Sequence, residues 1–125
     1  MITLKTLPNA TAQEVFNQVA HHLLTQKVRS VGKDSDGNGG CKYRGDNGTK
    51  CAAGCLIADD EYEPAFEDYA WNSLATVQKV VTNEHSALIQ TLQQVHDQVD
   101  PVIWQQALDE RAERFGLTPY YLPKE

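Results

Sequence analysis

Asp34, Asp36, Asn38 and Gly39 stand at positions one, three, five and six of a run that reads like the front of an EF-hand calcium loop, where side-chain oxygens alternate and a glycine allows the sharp turn. The rest of the run departs from that pattern. Position nine is Lys42, a cation where an oxygen is wanted, and position twelve is Gly45 instead of a bidentate Glu. A calcium module built on Asp34, Asp36 and Asn38 would therefore borrow a distant carboxylate, such as Asp59 or Asp60, to gather the six to eight oxygens a hard cation takes. The plain alternative is a turn of residues that tolerate unusual φ.

The thiols offer a second chemistry. Cys41, Cys51 and Cys55 are spaced with nine and then three residues between them, and four histidines lie elsewhere. Structural zinc sites bring their ligands in close pairs at both ends, so only Cys51 and Cys55 fit, with His85 or His96 needed to complete the set. Cys51 also follows Lys50. If it opens a helix, the helix N-terminus and the ammonium would lower its pKa and make it a nucleophile. His96, beside Asp97, or His85 would then serve as the base. The ordinary reading of a free cysteine is a small buried hydrophobe. Tyr43-Arg44 is an interface anchor by residue type. With Asp59 and Tyr62 it outlines a binding patch, unless Arg44 is simply paired to Asp59.

These residues must be positioned by the elements around them. Ile2 and Leu4 alternate with polar neighbours, which predicts a short N-terminal strand. Thr11-Ala12-Gln13-Glu14 is a capping box, and it predicts a helix to about Val28 with Val15, Phe16, Val19, Ala20, Leu23 and Leu24 on its apolar stripe. Asn47-Gly48 favours a type I′ turn, so Cys41 to Arg44 and Thr49 to Cys51 are expected to pair as a hairpin. Further helices are expected from Ser73 to Val81, from Thr82 to Val99, and from Asp100-Pro101 to a glycine cap at Gly116. His85, Leu88, Ile89, Leu92, Val95, His96 and Val99 share one face of the Thr82–Val99 helix, so both histidines should point inward.

The fold class expected is α+β, a single domain over residues 1–125: about four helices packed around a small antiparallel β-hairpin, with the N-terminal segment as a third strand. The chain is long enough to bury a core of its own. Its formal net charge of −6 opposes a nucleic-acid binder, whose footprint is a basic face. No apolar run reaches the length of a membrane span, and the N-terminus lacks the basic start and apolar stretch of a secretory signal. Three cysteines, an odd number, do not form a disulfide framework, which fits a cytoplasmic protein.

Cys41-x-Tyr43-Arg44-Gly45, then Gly48-x-Lys50-Cys51-Ala52-x-Gly54-Cys55-Leu56-Ile57, resembles the core wording of a family of small uncharacterised proteins of phages and bacteria. The resemblance extends to the helix upstream and to His85–Asp97 and Trp104–Leu117 downstream, nearly the whole chain. It implies a phage- or prophage-type protein in a host cytoplasm and carries no assigned activity. The Asp34–Gly39 segment lies outside that wording. The expected function is a non-enzymatic module that binds a host protein and needs no cofactor. The alternatives are a cysteine-dependent enzyme using Cys51 with His96 or His85, and a calcium module through Asp34, Asp36 and Asn38.

Overall fold

The computed structural model describes residues 1–33 and 39–123, so Asp34, Asp36 and Asn38 lie outside the described residues. Among those described, four α-helices carry the fold: α1 (Ala12–Gln26), α2 (Trp71–Thr76), α3 (Ser86–Gln98) and α4 (Trp104–Arg114). The α3 helix is central and packs against α1, α2 and α4. Its Leu88, Ile89, Leu92 and Val95 are buried, as the 3.6-residue period requires. They meet Val15, Phe16, Val19, Ala20 and Leu23 of α1 and Trp104, Leu108 and Ala112 of α4 in one core.

The helix ends follow local chemistry. Thr11 Oγ1 accepts from the Glu14 N–H at 3.1 Å and Glu14 Oε1 accepts from the Thr11 N–H at 2.8 Å, closing the capping box. The α4 helix is entered through a single 3-10 turn at Pro101–Ile103, where Asp100 accepts from the Val102 N–H. It ends at Gly116, whose φ of 68° lets the Leu117 N–H reach back to Ala112 O. The boundaries of α2 and α3 differ from expectation. The α2 helix begins earlier, at Trp71, and stops at Thr76, where the Gln78 and Val80 N–H groups close it by bonding back to Ser73 O and Leu74 O. The α3 helix begins at Ser86, since His85 before it is left-handed with φ of 63°.

The β component is small, and it is not where the Asn47-Gly48 dipeptide placed it. The strands β1 (Val31–Lys33) and β2 (Gly39–Cys41) pair antiparallel, with Val31 opposite Cys41 and Lys33 opposite Gly39. Asn47 and Gly48 do both take positive φ, but within a 3-10 turn at Asp46–Gly48 flanked by no ladder. The backbone groups a hairpin would have used are taken by side chains from elsewhere. Glu67 accepts from the Tyr43 and Arg44 N–H groups, while Gln26 and His22 hold both backbone groups of Lys50. The third strand is also replaced. The first residues form a turn, with the Leu7 N–H on Thr3 O, and Gln18 and Glu61 take the backbone groups of Ile2, Leu4 and Lys5.

Candidate functional site

The end of β2 and the segment after it, the stretch Glu67–Trp71, and one face of α3 enclose a cavity of about 260 Å³. Tyr43, Tyr69 and Trp71 give it aromatic walls, and Gln90, Gln94 and Asp97 supply polar groups at helical spacing along α3. Its walls are held from behind. Tyr43 Oη donates to Tyr69 O at 2.7 Å, and Gln93 anchors α3 by accepting from the Ala53 N–H at 3.0 Å. Trp71 is 3% exposed, yet its indole N–H finds no acceptor among the described residues.

At one end of the cavity a network of hydrogen bonds centred on Asp97 joins five residues. The Ser30 N–H donates to His96 Nε2 at 2.9 Å, which fixes the ring proton on Nδ1. That proton goes to Asp97 Oδ1 at 2.7 Å, and Gln93 donates to the same oxygen at 2.8 Å. The Cys41 thiol is the remaining donor to the Asp97 carboxylate. Burial acts to raise the Asp97 pKa, but the bonds from His96 and Cys41 overrule it and hold the carboxyl below its ordinary value. Cys41 is reachable from solvent, yet partial desolvation and the adjacent carboxylate push its thiol up to about 11.

Donor type alone would make Cys41, His96 and Asp97 a metal site, since their ligand atoms lie within 4.8 Å of one another. The proton count opposes it. A metal on Nδ1 would displace the proton now given to Asp97, while Nε2 keeps its lone pair for the Ser30 N–H, so the ring would have to become an imidazolate. The arrangement is complete as a relay of neutral donors onto one carboxylate.

The other thiols are elsewhere. Cys51 is 2% exposed and accepts from the Gly54 N–H, and burial pushes its pKa far above that of a free thiol. It opens no helix long enough to activate it. Neither expected base reaches it: His96 is committed to Ser30 and Asp97, and His85 Nε2 bonds Ala10 O at 2.7 Å. Cys55, pushed up to about 12 by burial, donates to Ala52 O. The structure thus joins Cys41, not Cys51, with His96, and places the carboxylate between them where a nucleophile would need the ring.

Tyr43, Arg44 and Tyr62 meet around Glu67 and Asp59 joins them through Arg44, but Tyr43 is buried and Arg44 is spent on internal partners, so they do not stand out as the exposed patch expected. The Arg44 guanidinium donates to Gly54 O and Ile57 O at 2.8 and 2.6 Å, pairs with Asp59 at 3.1 Å and lies 4.9 Å from the Tyr62 ring centre. Tyr62 Oη donates to Glu67 at 2.6 Å. Arg44 is thereby the strut that ties the Gly54–Leu56 turn to the preceding segment, and Asp59 is the exposed end of the cluster. Sequence reasoning missed Glu67 and Trp71. The recurrence of Gln90, Gln94 and Asp97 along α3 was the available signal for the cavity wall. Compared with known proteins, the chain matches no family model, no curated protein and no solved structure. Among the described residues, no helix is long and apolar enough to cross a membrane.

Proposed function

We propose that the chain is a non-catalytic binding module, of phage or prophage type, that holds a host protein at the cavity between α3 and the Glu67–Trp71 stretch. The observation that carries the reading is the contrast between the reactive groups and the cavity. The candidate nucleophile and bases are consumed internally: His96 between Ser30 and Asp97, His85 on Ala10, Cys51 under Gly54. The cavity beside them has aromatic walls, and aromatic side chains dominate the energetics of interfaces. The Tyr43-Arg44 cluster serves this reading as the rigid frame behind one wall.

Blocking the cavity tests it. Gln94 is exposed at the cavity edge, so Gln94→Trp is expected to fold normally and to obstruct entry. Capture from a host lysate by the natural chain and by Gln94→Trp, read by quantitative mass spectrometry, should show a protein retained by the first and lost at least tenfold by the second, about 1.4 kcal/mol. Equal capture by both would remove the cavity from the reading.

A further inference from the structure

The cavity's chemistry narrows what enters it. Its walls carry Tyr43, Tyr69 and Trp71, and Tyr69 remains 38% exposed. At its end sits Asp97, whose two N–H donors both go to Oδ1, with the Cys41 thiol beside the same carboxylate. Glu67 lines it too, although its oxygens are already engaged by two backbone N–H groups and by Tyr62. Lys42 is the one cation among the lining residues, against two carboxylates. The whole chain carries a formal charge of −6.

Aromatic faces beside a carboxylate form the environment in which an alkylammonium or guanidinium group is held. The ring quadrupoles attract the cation and the carboxylate accepts its N–H groups. The apolar stem of a lysine or arginine suits the aromatic walls, and its charged end suits Asp97. The indole ring of Trp71 adds a further aromatic surface to the same wall.

We propose that the cavity is a subsite for a basic side chain, lysine or arginine, of a partner polypeptide. The inference rests on the binding-module reading and specifies the chemistry of what the partner presents. Charge complementarity argues for a polypeptide partner with a basic surface, because an acidic chain draws such a partner in and the cavity is sized for one side chain.

The two tryptophans make the test direct. Trp104 donates its indole N–H to Val99 O inside the core, whereas Trp71 lines the cavity, so the two indole resonances of the ¹⁵N-labelled chain report different places. They are told apart with Trp71→Phe. Blocked tripeptides Ala-Lys-Ala, Ala-Arg-Ala, Ala-norleucine-Ala and Ala-Glu-Ala are titrated in turn. The lysine and arginine peptides should move the Trp71 resonance saturably and leave that of Trp104 in place. The norleucine peptide, with the same stem and no charge, should bind about tenfold more weakly. Asp97→Asn and, independently, Tyr69→Ala should each weaken the lysine peptide about tenfold, while Asp59→Asn should not. Tyr69→Ala covers the case in which Asp97→Asn disturbs the relay, since Tyr69 supports Tyr43 through its backbone oxygen alone.

Equal binding of lysine and norleucine peptides, or preference for the glutamate peptide, would overturn the basic subsite and leave a cavity that binds. Tighter saturation by n-butylammonium than by the lysine peptide would overturn the polypeptide partner. No movement of the Trp71 resonance with any probe would overturn the proposal, and the Gln94→Trp capture would then decide the binding-module reading by itself.

Discussion

The Asp97 carboxylate is the residue on which the local chemistry turns. It receives the His96 ring proton, a Gln93 amide and the Cys41 thiol, and its charge helps keep that thiol protonated. With the thiol pushed up to about 11, Cys41 should alkylate slowly with iodoacetamide at neutral pH although it is solvent-accessible. Asp97→Asn removes the charge and should speed Cys41 labelling about tenfold, the change in thiolate produced by one pKa unit. Peptide mapping by mass spectrometry follows it, and an unchanged rate would show that the carboxylate does not hold the proton. Cys51, which is buried, should label only on unfolding. A second residue-scale expectation concerns Gly54. A Cβ there would run into the Tyr43 carbonyl, a backbone group that cannot swing aside. Gly54→Ala should cost about 2–3 kcal/mol in the denaturant midpoint.

At the scale of elements, α1 and α3 behave as their patterns require, and their ends show where sequence periodicity stops being informative. The α1 helix ends at Lys27, which sits left-handed with φ of 63° and caps onto Leu23 O at 2.9 Å. Glycine is at home in that conformation and an L residue is not. Lys27→Gly should therefore stabilise the protein by about 0.5–1 kcal/mol, seen as a higher melting temperature, and a lower one would mean that the lysine stem contributes more by packing than its backbone costs. In α3, Leu92 is fully buried at the meeting of the helices. Leu92→Ala should cost about 3 kcal/mol in chemical denaturation. The capping box, the proline entry and the glycine exit were legible because each is a backbone rule written in adjacent residues. The pairing of β1 with β2 was not, because nothing in Val31–Lys33 or Gly39–Cys41 marks a strand by alternation.

At the scale of the whole molecule, side chains stitch distant segments where strands might have done so. Glu61 is the clearest case. Its Oε1 accepts from the Leu4 and Ala58 N–H groups at 2.9 Å and its Oε2 from the Lys5 N–H at 3.1 Å. Burial works to raise its pKa, but these three bonds outweigh burial and bring it below the ordinary value. A carboxyl with a depressed folded pKa contributes stability that is fully present above its unfolded pKa of about 4.3 and is lost as pH falls through the folded value. Glu61→Gln should therefore lower the melting temperature at neutral pH, by about 1 kcal/mol of stability, and the gap from the natural chain should close below about pH 4. A gap that persists in acid would assign the loss to packing instead of charge.

The sequence by itself determined the helical core and the inward face of α3 from Leu88 to His96, though not the place of His85 before that helix, because periodicity and capping act over short separations. It could not determine which thiol would meet His96, or that Asp97 would stand between them. Cys41 and Asp97 are far apart in the chain and meet only because β2 ends beside the last turn of α3. Nor could it foresee that Glu67 would take the Tyr43 and Arg44 N–H groups, which cancels the expected hairpin and sets the wall of the cavity. A backbone N–H takes whatever acceptor the folded chain brings within reach, and that choice belongs to the tertiary structure.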